Sequence, residues 1–289
     1  MHLLSLIGEQ PIPNLLVARA LQAKSNLLCC TPTTQRIAEN LRAMLPGAQI
    51  HHVEPYHLAD ALASLDGVVS DDVVLNLTGG TKPMVLAGFE IARRRRLPFV
   101  YLQSEGGESI LYRYDFADGI PVLRARHILG TLITIADYLQ AHGLSATAEK
   151  GPQNTQEAGL RHWLTKHVDE IHNNMVFEAF EIDFLLRRGN QVCVLEAKMN
   201  VKSTRKGIDQ LNTFTGRDYL GTYTGKILAV SKPLGPQLSR LAEARHIQVV
   251  LLTGPIDHRT GRLILSRESR QAMLSSLDNL LGRISAEKS

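Results

Sequence analysis

Over its first 115 residues the chain alternates short apolar runs with amphipathic stretches, and this alternation narrows the fold more than anything else in the sequence. Runs at 3–7, 26–30, 49–53, 73–77 and 99–102 read as strands, and the stretches at 15–22, 35–45, 58–65 and 83–94 between them read as helices. A helix between every two strands is the connection that parallel strands require, because a tight turn cannot start a second strand in the same direction. The expected fold class is therefore α/β, with a doubly wound parallel sheet in the first half. Residues 110–114, after the turn Glu105-Gly106-Gly107-Glu108, add an antiparallel edge strand.

At 289 residues the chain has the length of two domains of about 150 residues each. A connecting helix is expected over 128–141, followed at 142–154 by a stretch rich in small, polar, glycine and proline residues. The boundary is placed there, between a first domain at 1–145 and a second at 146–289. Beyond it the order changes to helix, strand hairpin, helix, strand, helix, strand, with a final helix over 266–282.

The formal net charge of +4 excludes both a histone-like polycation and an acidic disordered tail. Residues 1–129 hold 12 basic and 12 acidic side chains, so the excess lies wholly in the second half. Its densest basic cluster, Arg187, Arg188, Lys198, Lys202, Arg205 and Lys206, reads either as a footprint for nucleic-acid phosphates or as a solvated face. The run Arg93 to Arg96 reads as the basic end of a helix, complementing its dipole. No apolar run approaches the roughly 20 residues that span a bilayer. The start has no basic region of the signal-peptide kind, so no membrane partner and a cytoplasmic location are expected. Cys29, Cys30 and Cys193 are too few, and too apolar in setting, for a disulfide framework or a Cys-based zinc site.

The segment from Phe180 to Lys198 carries the clearest chemistry. Gly189-Asn190 is a favoured two-residue hairpin loop between apolar strands. With that loop, paired residues have numbers that sum to 379. One face then joins Leu186 to Cys193, Phe184 to Leu195 and Ile182 to Ala197, and is wholly apolar. The other joins Leu185 to Val194, Asp183 to Glu196 and Glu181 to Lys198. Directly opposed carboxylates, with Cβ atoms about 4.5–5.5 Å apart, repel, so a strand pair built only for stability gains nothing from them. A divalent cation held between Asp183 and Glu196 turns the repulsion into binding energy. Lys198 shares that face, where it can stabilise charge on a phosphate or orient an attacking water. An isolated Glu-x-Lys more often lies on a solvated strand face. The matched Asp, the flanking apolar runs and the helix pattern that follows favour the chemical reading here.

In an open doubly wound sheet, ligands bind beyond the carboxyl ends of the strands, beside the point where strand order reverses. Three polar loops fall at such ends: Gly8-Glu9-Gln10-Pro11, Thr31-Pro32-Thr33-Thr34 and Thr78-Gly79-Gly80-Thr81-Lys82-Pro83. The third is the strongest signal. Its glycines allow close backbone approach, its threonines donate hydrogen bonds, and it opens a helix whose N-terminus attracts phosphate. It is not a Walker A loop, and no Gly-x-Gly-x-x-Gly follows the first strand, which disfavours a dinucleotide cofactor.

The stretch Asn76-Leu77-Thr78-Gly79-Gly80-Thr81-Lys82-Pro83-Met84 resembles the signature of CARF domains, the CRISPR-associated Rossmann-fold sensors. Asp183 with Glu196-Ala197-Lys198 resembles the motif of the PD-(D/E)XK nuclease superfamily. Together they resemble the CARF-nuclease effectors of type III CRISPR systems over nearly the whole chain. That resemblance implies an N-terminal Rossmann-like CARF domain and a C-terminal restriction-endonuclease-like PD-(D/E)XK domain. It also implies a homodimer whose paired CARF domains bind a cyclic oligoadenylate, usually cyclic tetra-adenylate, that activates cleavage of nucleic acid, whether ssDNA, ssRNA or dsDNA. Carried over by motif, Thr78, Gly79, Gly80, Thr81 and Lys82 line the pocket, and Gln10, Thr31 and Thr33 join them by loop position alone. Asp183 and Glu196 are implied ligands of Mg²⁺ or Mn²⁺, Lys198 the residue that assists the water, and Glu157 a further acid from the preceding helix. The literal Pro-Asp is absent, Ile182 standing before Asp183. The alternative, a non-catalytic CARF regulator binding nucleic acid through its basic second domain, is disfavoured by the Glu-Ala-Lys hairpin.

Overall fold

The apolar runs of the first half become strands β1 (His2–Leu6), β2 (Ser25–Cys30), β3 (Ala48–His52), β4 (Val73–Asn76) and β5 (Phe99–Glu105). They are parallel, joined by helices α1 (Pro11–Ala20), α2 (Gln35–Met44), α3 (Leu58–Asp66) and α4 (Lys82–Arg95). The computed structural model describes residues 1–283, and these elements belong to the first of two units, Met1–Ile133 with Asp137–Gly143. The sheet order is β3-β2-β1-β4-β5, extended by β6 (Glu108–Ala117) and β7 (Ile120–Ile128). Strand order reverses between β1 and β4, which is where a doubly wound sheet opens a crevice. α1 packs on α2 and α3 on α4, and Ala61, Leu65, Met84, Ala87 and Ile91 of the latter two bury Leu4, Leu6, Leu75 and Phe99 of the sheet.

Local sequence explains the helix ends. α1 opens on proline, tolerated there because the first N–H of a helix has no intrahelical partner. Thr81 caps α4 by accepting from the Met84 N–H, and Arg96 closes it in a left-handed conformation, φ 54°. Arg93 and Arg94 fold back on Glu90, and Arg95 binds Asp66, so this basic run serves the helix terminus.

Two expectations need correction. The edge strand at 110–114 is one arm of a long hairpin, because Asp118 and Gly119 (φ 50° and 74°) form a tight turn with two left-handed residues. That second arm, β7, takes up residues as far as Ile128. The connecting helix is therefore only α5 (Ile135–Ala141). Arg19 of α1 clamps it through a bidentate pair to Asp137 at 2.7 and 2.6 Å.

The second unit comprises Thr134–Ala136 and the residues from Leu144 onward. It contains β8 (Ala148–Glu149), α6 (Thr155–Leu164), β9 (Glu170–Val176), β10 (Glu181–Arg188), β11 (Gln191–Lys198) and α7 (Val201–Phe214). After these come β12 (Gly225–Val230), α8 (Pro236–Ala244), β13 (Gln248–Leu251) and α9 (Arg267–Leu281). Its sheet runs β13-β12-β11-β10-β9-β8, parallel across β11, β12 and β13 and antiparallel elsewhere. Phe184, Leu186, Cys193, Leu195, Ile227 and Ala229 pack one face against Leu160 and Leu164 of α6 and Met273 and Leu277 of α9. α7 lies on the opposite face, where Gly207 meets Lys198 and Leu228. Strands β8 and β9 were not foreseen. β9 reads Glu-Ile-His-Asn-Asn-Met-Val, without the apolar alternation that marks a half-buried strand.

Candidate functional site

The hairpin turns through Gly189, whose φ of 57° is the conformation a glycine-first two-residue turn demands. It sets the expected register: Arg188 opposite Gln191, Leu186 opposite Cys193, Phe184 opposite Leu195. The ladder of β10 and β11 ends at Phe184–Leu195. Beyond it side chains replace backbone partners. Ala197 N–H donates to Asp183 Oδ2 at 2.8 Å, and Asp183 N–H reaches Glu196 Oε1 at 3.4 Å. The open end of the hairpin is thus held by the two carboxylates themselves.

Lys198 completes the group. Its Nζ lies 2.6 Å from Glu196 Oε2 and 3.3 Å from Asp183 Oδ2. Glu196 is fully buried. Burial, aided by the Asp183 charge and only partly offset by Lys198, pushes its carboxyl up to about 8. Burial alone would lower the Lys198 ammonium, but the charges of Glu196 and Asp183 outweigh it and hold it above its ordinary value. The ammonium takes this place because α7 has Gly207 there: a Cβ would come 2.8 Å from Lys198 Cγ. Nothing in the sequence pattern marks that glycine. Two oxygen-donor carboxylates converging on one cation suit Mg²⁺ or Mn²⁺.

Glu157 is placed otherwise. Its carboxylate accepts from Gln153 N (2.8 Å) and Asn174 Nδ2 (3.0 Å), and Asn154 caps α6 through the Glu157 N–H. The structure therefore ties it to the start of its own helix. Among the described residues no three His, Cys, Asp or Glu side chains gather as a metal-holding group. Asn174, left-handed at φ 47°, falls opposite Asp183 between the pairs Met175–Ile182 and Asn173–Phe184. Glu157 thus stands one residue behind the hairpin end, reached through an asparagine that sequence reasoning missed.

The basic cluster divides. Arg187 is buried against Glu170 (2.7 Å) and Asp169 (3.6 Å), and Arg188 against Asp278 (2.7 Å) and the carbonyls of His167 and Gly282. These two arginines hold the unit together, while Lys202, Arg205 and Lys206 remain exposed on α7.

In the first unit the three polar loops follow β1, β2 and β4, which are neighbours in the sheet. The first and third touch: a Cβ on Gly8 would lie 3.1 Å from Gly80 N. A Cβ on Gly79 would strike the Leu6 carbonyl, and Gly80 has φ 83°, so both glycines are required by the close approach of the two loops. Beneath them runs a buried polar chain. Asn76 Nδ2 donates to Asn14 Oδ1 (2.9 Å) and Ser5 Oγ (3.2 Å), while its Oδ1 accepts from the Thr78 N–H and hydroxyl.

The threonines serve the loops more than the open space above them. Thr78 Oγ1 also accepts from Leu102 N, and Thr81 Oγ1 donates to the Pro55 carbonyl at 2.6 Å. Thr31 is buried, its hydroxyl shared with Thr33 and Thr34 in a capping box. Gln10 stands just before α1. Exposed on this edge are Glu9, Thr33 and Lys82, with the Gly79–Gly80 backbone half-buried. The loop cluster therefore offers peptide groups, one ammonium and, in the first loop, the Glu9 carboxylate, held by a neutral framework.

Residues 2–138 match the family described as the Card1 CARF domain. Among solved structures, Can2 from Sulfobacillus thermosulfidooxidans in complex with cyclic tetra-adenylate is similar at TM-score 0.75 and 16% identity, covering 97% of this chain and 99% of that one. The Vibrio cholerae protein VC1899 is similar at TM-score 0.66 and 11% identity, covering 86% and 93% of the two chains. A type III CRISPR defence DNA nuclease activated by cyclic oligoadenylate matches 94% of this chain at TM-score 0.64 and 16% identity, this chain spanning 51% of that protein's length. No curated protein sequence matches. The family match lies almost wholly within the first unit, and the likeness to these solved structures shows a shared fold.

Proposed function

We propose that the protein is a nuclease of type III CRISPR defence, switched on by a cyclic oligoadenylate and dependent on a divalent metal ion. The observation that carries the reading is the triad at the hairpin end: a fully buried Glu196 facing Asp183, with Lys198 Nζ within 3.3 Å of both. Such a cluster of buried ionisable groups, two of them acids, is costly in a purely structural role. Asp183 and Glu196 hold Mg²⁺ or Mn²⁺, which when bound supplies Lewis-acid charge to a phosphodiester. Lys198 sets its ammonium where negative charge develops on the phosphate oxygens, and Gly207 keeps it there. Glu157 orients Asn174 beside Asp183 and acts as a positioning residue.

The loops at Gly8–Gln10, Thr31–Thr33 and Thr78–Lys82 form the activator site. Peptide N–H groups and Lys82 meet phosphates there, and the glycines bring the backbone close. Two chains joined on a two-fold axis match the repeated units of a cyclic tetra-adenylate, the ligand bound in the Can2 structure. Activation then requires that the ligand bind one dimer arrangement more tightly than another.

The test uses labelled DNA and RNA with Mn²⁺ and cyclic tetra-adenylate. Glu196→Gln should lower cleavage on the order of a thousandfold while activator binding by calorimetry stays unchanged. Full cleavage by an Asp183→Ala, Glu196→Ala double variant would falsify the reading. A shifted nucleic-acid complex without cut products, in the unsubstituted protein, would favour a binding regulator instead.

A further inference from the structure

The second unit carries a basic hollow away from the triad. Arg161 and His162 of α6, Lys166 from the turn that follows it and Arg262 from the loop before α9 line a space of 440 Å³. Arg161 and His162 stand in the last turn of the helix, and Lys166 follows two residues past its end. No acidic side chain is among the described residues that line it. Two acids outside the lining act on these cations: Glu149, bonded to His172 Nδ1 and Asn173 N, feels the Arg161 charge, and Asp257, bonded to Arg259 N and Thr260 Oγ1, feels that of Arg262. Three permanent positive charges thus meet two partial counter-charges and no carboxylate in the lining itself, which leaves a positive surplus that a polyanion relieves.

Position gives the hollow a use. Arg161 donates from Nε to Asn173 Oδ1, and Asn173 pairs with Phe184, the neighbour of Asp183. Arg161 lies about 6 Å along the α6 axis from Glu157, whose carboxylate binds Asn174 opposite Asp183. The helix that bears the hollow thus begins at the triad's end of the hairpin. The buried Arg187 and Arg188 are unavailable to a ligand, and the α7 cations share their surface with Asp209.

We infer that this hollow holds the phosphodiester backbone of the nucleic-acid substrate, docking the strand whose scissile bond reaches Asp183, Glu196 and Lys198. The inference rests on the nuclease reading and adds a second contact region to it. Arginine at two of the four positions suits bidentate contact with phosphate oxygens, and such contacts position a strand without selecting its sequence.

The test is made in the full chain carrying Glu196→Gln, by anisotropy of a labelled single-stranded oligonucleotide over a salt series. Adding Lys166→Glu and Arg262→Glu should weaken binding about tenfold or more and flatten the slope of log affinity against log salt by about 0.7 per lost contact. Lys166→Gln and Arg262→Gln should give smaller losses of the same kind. With Glu196 restored and Mn²⁺ and cyclic tetra-adenylate supplied, the charge-reversed chain should still hydrolyse bis(p-nitrophenyl) phosphate, a diester too small to need docking, at the unsubstituted rate. Unchanged affinity and slope would overturn the inference, as would a loss confined to Lys202→Glu and Arg205→Glu on α7. Hydrolysis of the small diester by a chain whose oligonucleotide binding ignores the hollow sinks the docking site and leaves the nuclease reading standing. An unsubstituted chain that, with the same metal and activator, neither binds the oligonucleotide nor hydrolyses the diester overturns both.

Discussion

The two units bury polar groups in opposite ways. Under the Gly79–Gly80 loop lie neutral amides and hydroxyls, Ser5, Asn14, Asn76 and Thr78, linked in one chain of hydrogen bonds. In the second unit the buried polar groups are ionisable: Glu196 beside Asp183 and Lys198, Arg187 with Glu170, and Arg188 with Asp278. A neutral network fixes a loop without long-range fields, which suits a surface that must bind and release a ligand. A charged one stores conflict: each carboxylate depends on a neighbour that can be withdrawn or replaced, which suits chemistry on a polyanion.

Four measurements break or sharpen that contrast. Arg188→Met should cost about 3–5 kcal/mol in the unfolding transition of the second unit, because it strands Asp278 and two carbonyls; a cost below about 1 kcal/mol would show that the pair behaves as a surface bridge. His142 is the first unit's exception, a buried imidazole whose Nδ1 donates to the Tyr138 carbonyl. Burial, aided by Arg36, lowers its pKa to about 4. The unfolded chain protonates this residue near 6.5, so its contribution to stability is complete above that pH and is lost as pH falls from 6.5 towards 4. The loss amounts to roughly 3 kcal/mol. His142→Leu should remove this slope from denaturation curves measured across that window, and an unchanged slope would show the imidazole to be reachable by water.

Gly79→Ala should destabilise the first unit by about 1–3 kcal/mol, seen as a lower melting temperature together with weaker activator binding. Intact binding would mean that the loop can shift away from Leu6. Lys82→Ala should leave melting unchanged and weaken cyclic tetra-adenylate binding about tenfold, the value of one charge-assisted hydrogen bond. Melting that also fell would place Lys82 in the framework.

Elements with strong periodicity were legible from the chain alone. The parallel strands stand out because each is a short apolar run between amphipathic helices, and the hairpin register follows from Gly189-Asn190 because the loop length counts out the partners. Three things escaped for separate reasons. β7 carries Pro121, Arg124, Arg126 and His127 along an exposed arm, so only the Asp118-Gly119 turn announced it. β9 buries amides where apolar residues are usual, and Asn174 takes a conformation that no local rule requires. The fates of Arg187 and Arg188 depend on partners as distant in sequence as Asp278. A run of like charges is visible locally, whereas its neutralisation is a property of the fold.

The N–H of Ala197 points at Asp183 Oδ2, the same oxygen that lies nearest Lys198 Nζ. Any cation that draws on that oxygen must alter the electron density seen by one backbone proton. In ¹⁵N-labelled protein the Ala197 resonance is therefore a gauge of site occupancy, readable with no substrate, no activator and no turnover. Its solvent-exchange rate gives a second scale on the same gauge. A metal titration followed at this single amide would separate loading of the centre from the later events that activator and nucleic acid bring about.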